Sequence, residues 1–139
     1  MTCCTRSPNE LGEVTWVWVA PDVVRAIHDR QLAEHGGGDG VRDPGLLDSA
    51  LARPENAAAY GTPDVADLAA AYAFGIAKNH PFVDGNKRTA WVVARLFLHL
   101  NGARLIFAVQ DAIVAVEGLA AGTLNEHALA AWFRGRLHP

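Results

Sequence analysis

His80, Asp84, Lys87 and Arg88 lie within a span of nine positions, and their types suit proton transfer beside a bound anion. They belong to the run His80-Pro81-Phe82-Val83-Asp84-Gly85-Asn86-Lys87-Arg88-Thr89-Ala90. Histidine is the side chain whose proton affinity fits general-base work near neutral pH. Pro81 disfavours the helical region at His80 and stops a helix arriving from the N-terminal side, while Gly85 permits a sharp turn. The next helix is therefore expected to start between Asp84 and Asn86. Its first N–H groups, which lack intrahelical partners, would point into the space between His80 and Arg88. Such donors, the positive end of the helix dipole and two cations together make a receptive site for phosphate.

The bland use of each residue narrows this reading. Asp84 can cap the new helix or carry Mg²⁺ beside phosphate oxygens, and the two uses are compatible. Gly85 and Asn86 shape the loop and let backbone N–H groups approach an anion. Asn86 bonds either phosphate or the backbone across the turn. Lys87 and Arg88 occupy a first helical turn, where cations oppose the dipole; an anionic ligand would offset that penalty. Arginine offers a planar fork for phosphate oxygens and lysine a point charge. The chain has no Gly-x-x-x-x-Gly-Lys-Ser/Thr loop and no protein-kinase signature set. Any nucleotide chemistry must run through this one stretch.

The elements that would position it follow from the punctuation of the chain. Residues 1–13 read as a flexible leader. Val14 to Val19 alternates and is β-prone, compatible with a short strand. Pro21 and Asp22 suit a first helical turn, with Val23, Val24 and Ile27 on one face and a stop at Gly36 to Gly40. That glycine segment suits either a target-docking flap or a plain long turn. Asp43 and Pro44 start a short helix with Leu46, Leu47, Ala50 and Leu51 as its stripe, closed by Pro54 and followed by a loop from Asn56 to Gly61. Arg42 and Asp43 read as a salt link and cap, or as a border of the site. Thr62-Pro63 starts the next helix, whose Val65, Leu68, Ala69, Tyr72 and Ile76 share a face and whose other face is mostly alanine. It delivers Lys78, Asn79 and His80 to the motif.

The helix after the motif is apolar almost all round, so Ala90 to Leu100 is expected to be the most buried segment and the centre of the fold. Asn101-Gly102 ends it, and Leu105 to Phe107 follows as an apolar connector. Ile113, Val116 and Ala120 mark a further helix ended by Gly122. Asn125 caps a last one, with Leu124 and Leu129 as a hydrophobic staple and Ala128, Leu129, Trp132 and Phe133 on its buried side.

At 139 residues, half of them hydrophobic, the chain suits one domain with a real core, assigned to residues 14–139. The pattern is all-α. A net charge of −3 gives no case for nucleic acid as the main partner. Cys3 and Cys4 are adjacent and have no metal-ligand partner at a useful spacing, so they read as incidental thiols in a reducing compartment. No apolar run approaches membrane-spanning length and no signal peptide is visible. The expectation is a cytoplasmic protein without a membrane partner.

His80-Pro81-Phe82-x-Asp84-Gly85-Asn86-x-Arg88 resembles the core of the Fic motif. Lys87 immediately before Arg88 is similar to the Doc ("death on curing") branch, the toxins of bacterial toxin–antitoxin pairs. The resemblance covers about Val23 to Arg134, including Val41-Arg42-Asp43-Pro44-Gly45-Leu46-Leu47 and Ala69-Ala70-Ala71-Tyr72-Ala73-Phe74. It implies a six-helix bundle. It implies that His80 deprotonates the acceptor hydroxyl, that Asp84 serves Mg²⁺, and that Gly85, Asn86, Lys87 and Arg88 bind ATP phosphates. Adenylyl-transferring members of the family read Gly-Asn-Gly-Arg-x-x-Arg; here Lys87 replaces the second glycine and Trp91 the second arginine. Doc toxins share both departures. For them the resemblance implies reversed ATP, γ-phosphate transfer to a threonine of elongation factor Tu, arrest of translation and neutralisation by a cognate antitoxin. AMP transfer and a non-catalytic Doc domain that only binds a partner are the alternatives.

Overall fold

The computed structural model describes residues 15–138, so the leader and Val14 lie outside them. Among the described residues the chain forms six helices: α1 (Pro21–His35), α2 (Pro44–Tyr60), α3 (Val65–Asn79), α4 (Asn86–Leu100), α5 (Val109–Ala121) and α6 (Glu126–Arg134). A two-stranded antiparallel sheet, β1 (Arg104–Leu105) with β2 (Leu137–His138), pairs Leu105 with Leu137. The protein is an all-α bundle, as its apolar periodicities indicate.

The helix starts follow local chemistry. Asp43 Oδ1 accepts from the Leu46 N–H (3.1 Å) with Pro44 in the first turn of α2, and Asn125 Oδ1 accepts from the Ala128 N–H (2.8 Å) ahead of α6. The start of α3 lies slightly later than Thr62-Pro63. Asp64 is its cap, in a reciprocal box with Asp67. Arg134 then bonds Asp64 (2.7 Å) and Asp67 (2.8 Å), tying α6 to the start of α3. This guanidinium is the main reason the Asp64 carboxyl is held below its ordinary range.

Three expectations are corrected. The segment before α1 is not a strand over its described part, residues 15–20. The backbone groups of Val17 and Val19 are paired by side chains instead. The Asn101 amide takes both the Val17 N–H and the Val17 carbonyl (2.9 Å each), as a strand partner would, and the Val19 N–H donates to the Tyr72 hydroxyl oxygen (3.0 Å). Trp16 and Trp18 thereby pack on Phe97 at ring separations of 6.1 and 5.8 Å.

The second correction concerns α2, which does not close at Pro54 but runs on to Tyr60, through the expected loop. Proline there frees the carbonyl four residues back, that of Ala50. Gly75 of α3 lies against this carbonyl so closely that an added Cβ would stand 3.1 Å from it. The tight α2–α3 crossing and the burial of Pro54 outweigh the lost hydrogen bond.

The third is the centre of the bundle. It is α3, with ten of fifteen residues buried against seven of fifteen in α4. The alanines on both faces of α3 let α2, α4 and α6 all pack on it, whereas Lys87, Arg88, Arg95 and His99 keep one side of α4 in solvent. The helix marked by Ile113, Val116 and Ala120 is α5, ended by Gly122 as expected, and its inner face is made of Ala112, Ala115 and Leu119. Small residues face the bundle, and Ile113 remains half exposed beside a surface groove.

Tyr72, fully buried in α3, offers a test of this packing. Burial pushes its phenol up to about 12. The native state therefore favours the neutral phenol, while the unfolded chain ionises near pH 10, by the ordinary tyrosine value. Its contribution is intact below about pH 10 and is lost as pH rises towards about 12, roughly 2–3 kcal/mol in all by proton linkage. Urea midpoints across this range should fall more steeply for the parent than for Tyr72→Phe. Parallel profiles would exclude a buried ionisable phenol.

Candidate active site

The loop between α3 and α4 is short and held from three sides. Phe82, 1% exposed, is its buried anchor. The Asn86 side chain brackets it: Oδ1 accepts from the Phe82 N–H and Nδ2 donates to the Phe82 carbonyl, both at 3.0 Å. Asn86 thus bonds the backbone across the turn, the second of the two uses open to it from sequence. On another side the glycine segment and its continuation pair with the loop in antiparallel fashion. Val83 N–H donates to Gly40 O (3.1 Å), Arg42 N–H donates to Pro81 O (2.7 Å), and Val41 bridges to Phe82. On the third side α1 contributes His28. Its ring stacks on Phe82 (3.8 Å between centroids, 9° between planes), and its Nε2 lies 2.8 Å from Asp84 O.

His80 caps the C-terminus of α3 with φ 49° and ψ 55° and is, among the described residues, the one non-glycine with positive φ. A left-handed conformation at a non-glycine residue stores about 1–2 kcal/mol and has to be held by its surroundings. Arg42 helps to hold it: Nε donates to His80 O (2.8 Å) and Nη2 to Asn79 O (3.0 Å). Arg42 is therefore neither a salt link to Asp43 nor a bystander. It is the clamp on the carbonyl end of α3. The imidazole itself is exposed, with Asn86 Nδ2 at 3.5 Å from Nδ1, too long to fix a tautomer.

The far side of the loop starts α4. Gly85, at φ 76°, occupies the cap position, and no side chain caps the helix. The hydrogen-bond ladder begins with Thr89 N–H to Gly85 O (3.0 Å), so the N–H groups of Asn86, Lys87 and Arg88 precede it. Lys87 and Arg88 are exposed and form no ion pair among the described residues. Both line a groove of about 480 Å³ between α4 and α5, with Trp91, Arg95 and Phe107. His80 lines a neighbouring cavity of about 440 Å³ with Lys78 and Phe74, and α5 walls both. Trp91 packs in an aromatic cluster with Phe107, Trp132 and Phe133 at 5.6–6.0 Å.

Asp84 is exposed at the helix start. One oxygen, Oδ1, accepts from the Gly85 N–H (2.8 Å), and a methyl group at Gly37 would lie 2.7 Å from the other, Oδ2. The glycine segment is thus fitted to the carboxylate. Among the described residues no group of three or more His, Cys, Asp or Glu side chains could hold a metal. Mg²⁺ takes one or two carboxylates and completes its shell with waters and substrate oxygens, so a lone carboxylate is a chemically sufficient protein ligand for it.

Pattern reading missed His28. Its signal was a histidine one turn after the buried Val24, on the apolar side of α1. Its partner lies 56 positions away.

This fold and site define a known class. The family model of the Fic/DOC family matches residues 18–98, more than half of the chain, and the protein belongs to that family. Among curated relatives, the "Protein kinase doc" of Escherichia phage P1 is 33% identical over 113 residues, which span 81% of this chain and 89% of the relative. "Toxin Doc" of Mycolicibacterium smegmatis is 55% identical over 73 residues, covering 50% of this chain and 55% of that protein. The chain thus aligns with about half the length of the mycobacterial relative and most of the phage one. No helix among the described residues is long and apolar enough to cross a membrane.

Proposed function

We propose that this protein is a Doc-type toxin that transfers the γ-phosphate of ATP to a threonine hydroxyl of a translation factor. Elongation factor Tu is the target by family resemblance. The carrying observation is the juxtaposition across one loop of an exposed histidine held in a strained conformation and an uncapped helix start bearing two cations with no ion-pair partner among the described residues. In the proposed reaction His80 takes the threonine proton as the hydroxyl oxygen bonds to the γ-phosphorus. The bond from that phosphorus to the β–γ bridging oxygen breaks, and ADP leaves with the electron pair. Arg88, Lys87 and the N–H groups of the first turn of α4 receive the charge that develops on the equatorial and bridging oxygens. Asp84 would hold Mg²⁺, whose chemistry is to neutralise phosphate charge. Gly85 and Asn86 keep the loop in the shape that this requires.

Two features favour γ-transfer over AMP transfer. Lys87 stands where adenylyl-transferring relatives carry glycine, and Trp91, where they carry a second arginine, is committed to an aromatic cluster. The cradle for an α-phosphate is thereby weakened, while the grip on a terminal phosphoryl group remains. The name of the phage P1 relative points the same way. A cognate antitoxin, with a segment that folds on binding, would neutralise the toxin, and a translation target sets its place of action in the cytoplasm.

Incubation with labelled ATP and elongation factor Tu or a bacterial lysate tests the proposal. The modified target should gain about 80 Da, and γ-label but not α-label should be incorporated, as phosphoryl transfer demands. Incorporation of the α-label would replace the kinase reading with AMP transfer. No incorporation of either, with growth arrest retained, would favour a domain that acts by binding alone.

A further inference from the structure

We infer that His28 of α1, outside the motif, is a positioning residue for the Asp84 carboxylate; this rests on the role given to Asp84 above. The argument starts from what a buried imidazole needs. His28 is 2% exposed, so its polar atoms require partners. Nε2 lies 2.8 Å from the Asp84 backbone oxygen. A carbonyl only accepts, so Nε2 carries the proton and donates. Nδ1 stands 3.9 Å from the solvent-facing carboxylate of Asp29, beyond hydrogen-bond range. If packing were the only role, a leucine would fill the space without burying two ring nitrogens. What histidine adds is one donor, aimed at one peptide unit.

That peptide unit joins Asp84 to Gly85. His28 holds its carbonyl, and its N–H donates to Asp84 Oδ1 at 2.8 Å. Each end of the plane is therefore bonded, one end to α1 and the other to the carboxylate itself. Rotating the plane would swing the carboxylate and disturb Gly85, whose φ of 76° sets the start of α4. The ring also stacks on Phe82 and lies where a Cβ at Gly85 would meet its Cδ2 at 3.7 Å. His28 thus touches the loop at its anchor, at the Asp84 carbonyl and at the helix cap, while remaining remote in sequence from the groups it sets.

The test is a double-mutant cycle. His28→Leu keeps volume without the donor, His28→Asn keeps an amide too short to reach Asp84 O, and His28→Gln restores an N–H at about the reach of Nε2. Each is combined with Asp84→Ala and assayed for γ-phosphate transfer, for the Mg²⁺ concentration giving half-maximal rate, and for hydrogen exchange at the Gly85 amide. Loss of the donor should reduce the rate by about tenfold or more, as for residues that orient a ligand to a metal, and should raise the Mg²⁺ requirement. Gly85 exchange should quicken in His28→Asn and His28→Leu. His28→Gln should recover most of the rate and the protection. In the Asp84→Ala background none of the three should lower the rate further. The inference is overturned if folded donor-less variants match the parent, or if they lose the same factor with Asp84 already removed. If Asp84→Ala alone keeps full rate, the assignment of Asp84 fails first and the inference falls with it, a distinguishable result. Should His28→Leu not fold, His28→Asn against His28→Gln carries the same comparison.

Discussion

His80→Ala should lose phosphoryl transfer by about 10²–10⁴-fold, the range for removing a general base, while the protein stays folded. The imidazole is exposed and contributes little packing, so its removal opens no cavity. The backbone around it is fixed by Arg42 and by the His80 N–H to Ile76 O bond (3.2 Å), neither of which involves the side chain. Alanine at φ 49° inherits the strain that histidine already bears, so the thermal midpoint should barely move. His80→Gly sharpens the test. Glycine relieves about 1–2 kcal/mol of left-handed strain and gives back about 0.4–1 kcal/mol through the greater freedom of the unfolded chain. The glycine variant should therefore be at least as stable as the parent and equally inactive. A residue placed for folding would lose stability and activity together; here they should part. Growth arrest by either variant equal to the parent at matched expression would remove His80 from the mechanism.

The strain at His80 shows what pattern reading can and cannot see. Pro81 marks the end of a helix at His80, and Gly85 marks the start of the next, because both act through local dihedrals. Asp43-Pro44, Asn125 and Gly122 are legible for the same reason. The rule that proline closes a helix failed at Pro54, where burial and a glycine on the facing helix decide the outcome. Alanine carries so weak a hydrophobic signal that α4 outranked α3 as the centre, although small residues are what allow three helices to meet around α3. At the site, residue types within the motif single out the loop on which the proposed function rests. Arg42 was legible only as a salt link or a border of the site and His28 not at all, because their contacts lie 37–38 and 56 positions away.

Arg88→Ala should slow transfer by about 10²–10³-fold, as when a donor to a developing oxyanion is removed, and Lys87→Ala by a smaller factor, on the order of tenfold. Both side chains are exposed in the groove at the start of α4, so accessibility does not separate them. Geometry does. A guanidinium presents two N–H groups in a fixed plane and can span two oxygens of one phosphoryl group, whereas an ammonium on a flexible stem supplies charge without direction. Stability should move the opposite way. Each cation sits at the positive end of a helix dipole with no carboxylate paired to it among the described residues, so removing it should stabilise the fold by about 0.3–1 kcal/mol at low salt. The gain should shrink as salt screens the dipole. Arg88→Lys discriminates charge from shape: it retains the positive charge and should recover only a minor part of the rate. Thermal midpoints and initial rates measured on the same preparations read both effects. Equal, small rate losses in Arg88→Ala and Lys87→Ala would put the cations outside the site. A stability loss in either would mean that its side chain serves the fold rather than the anion.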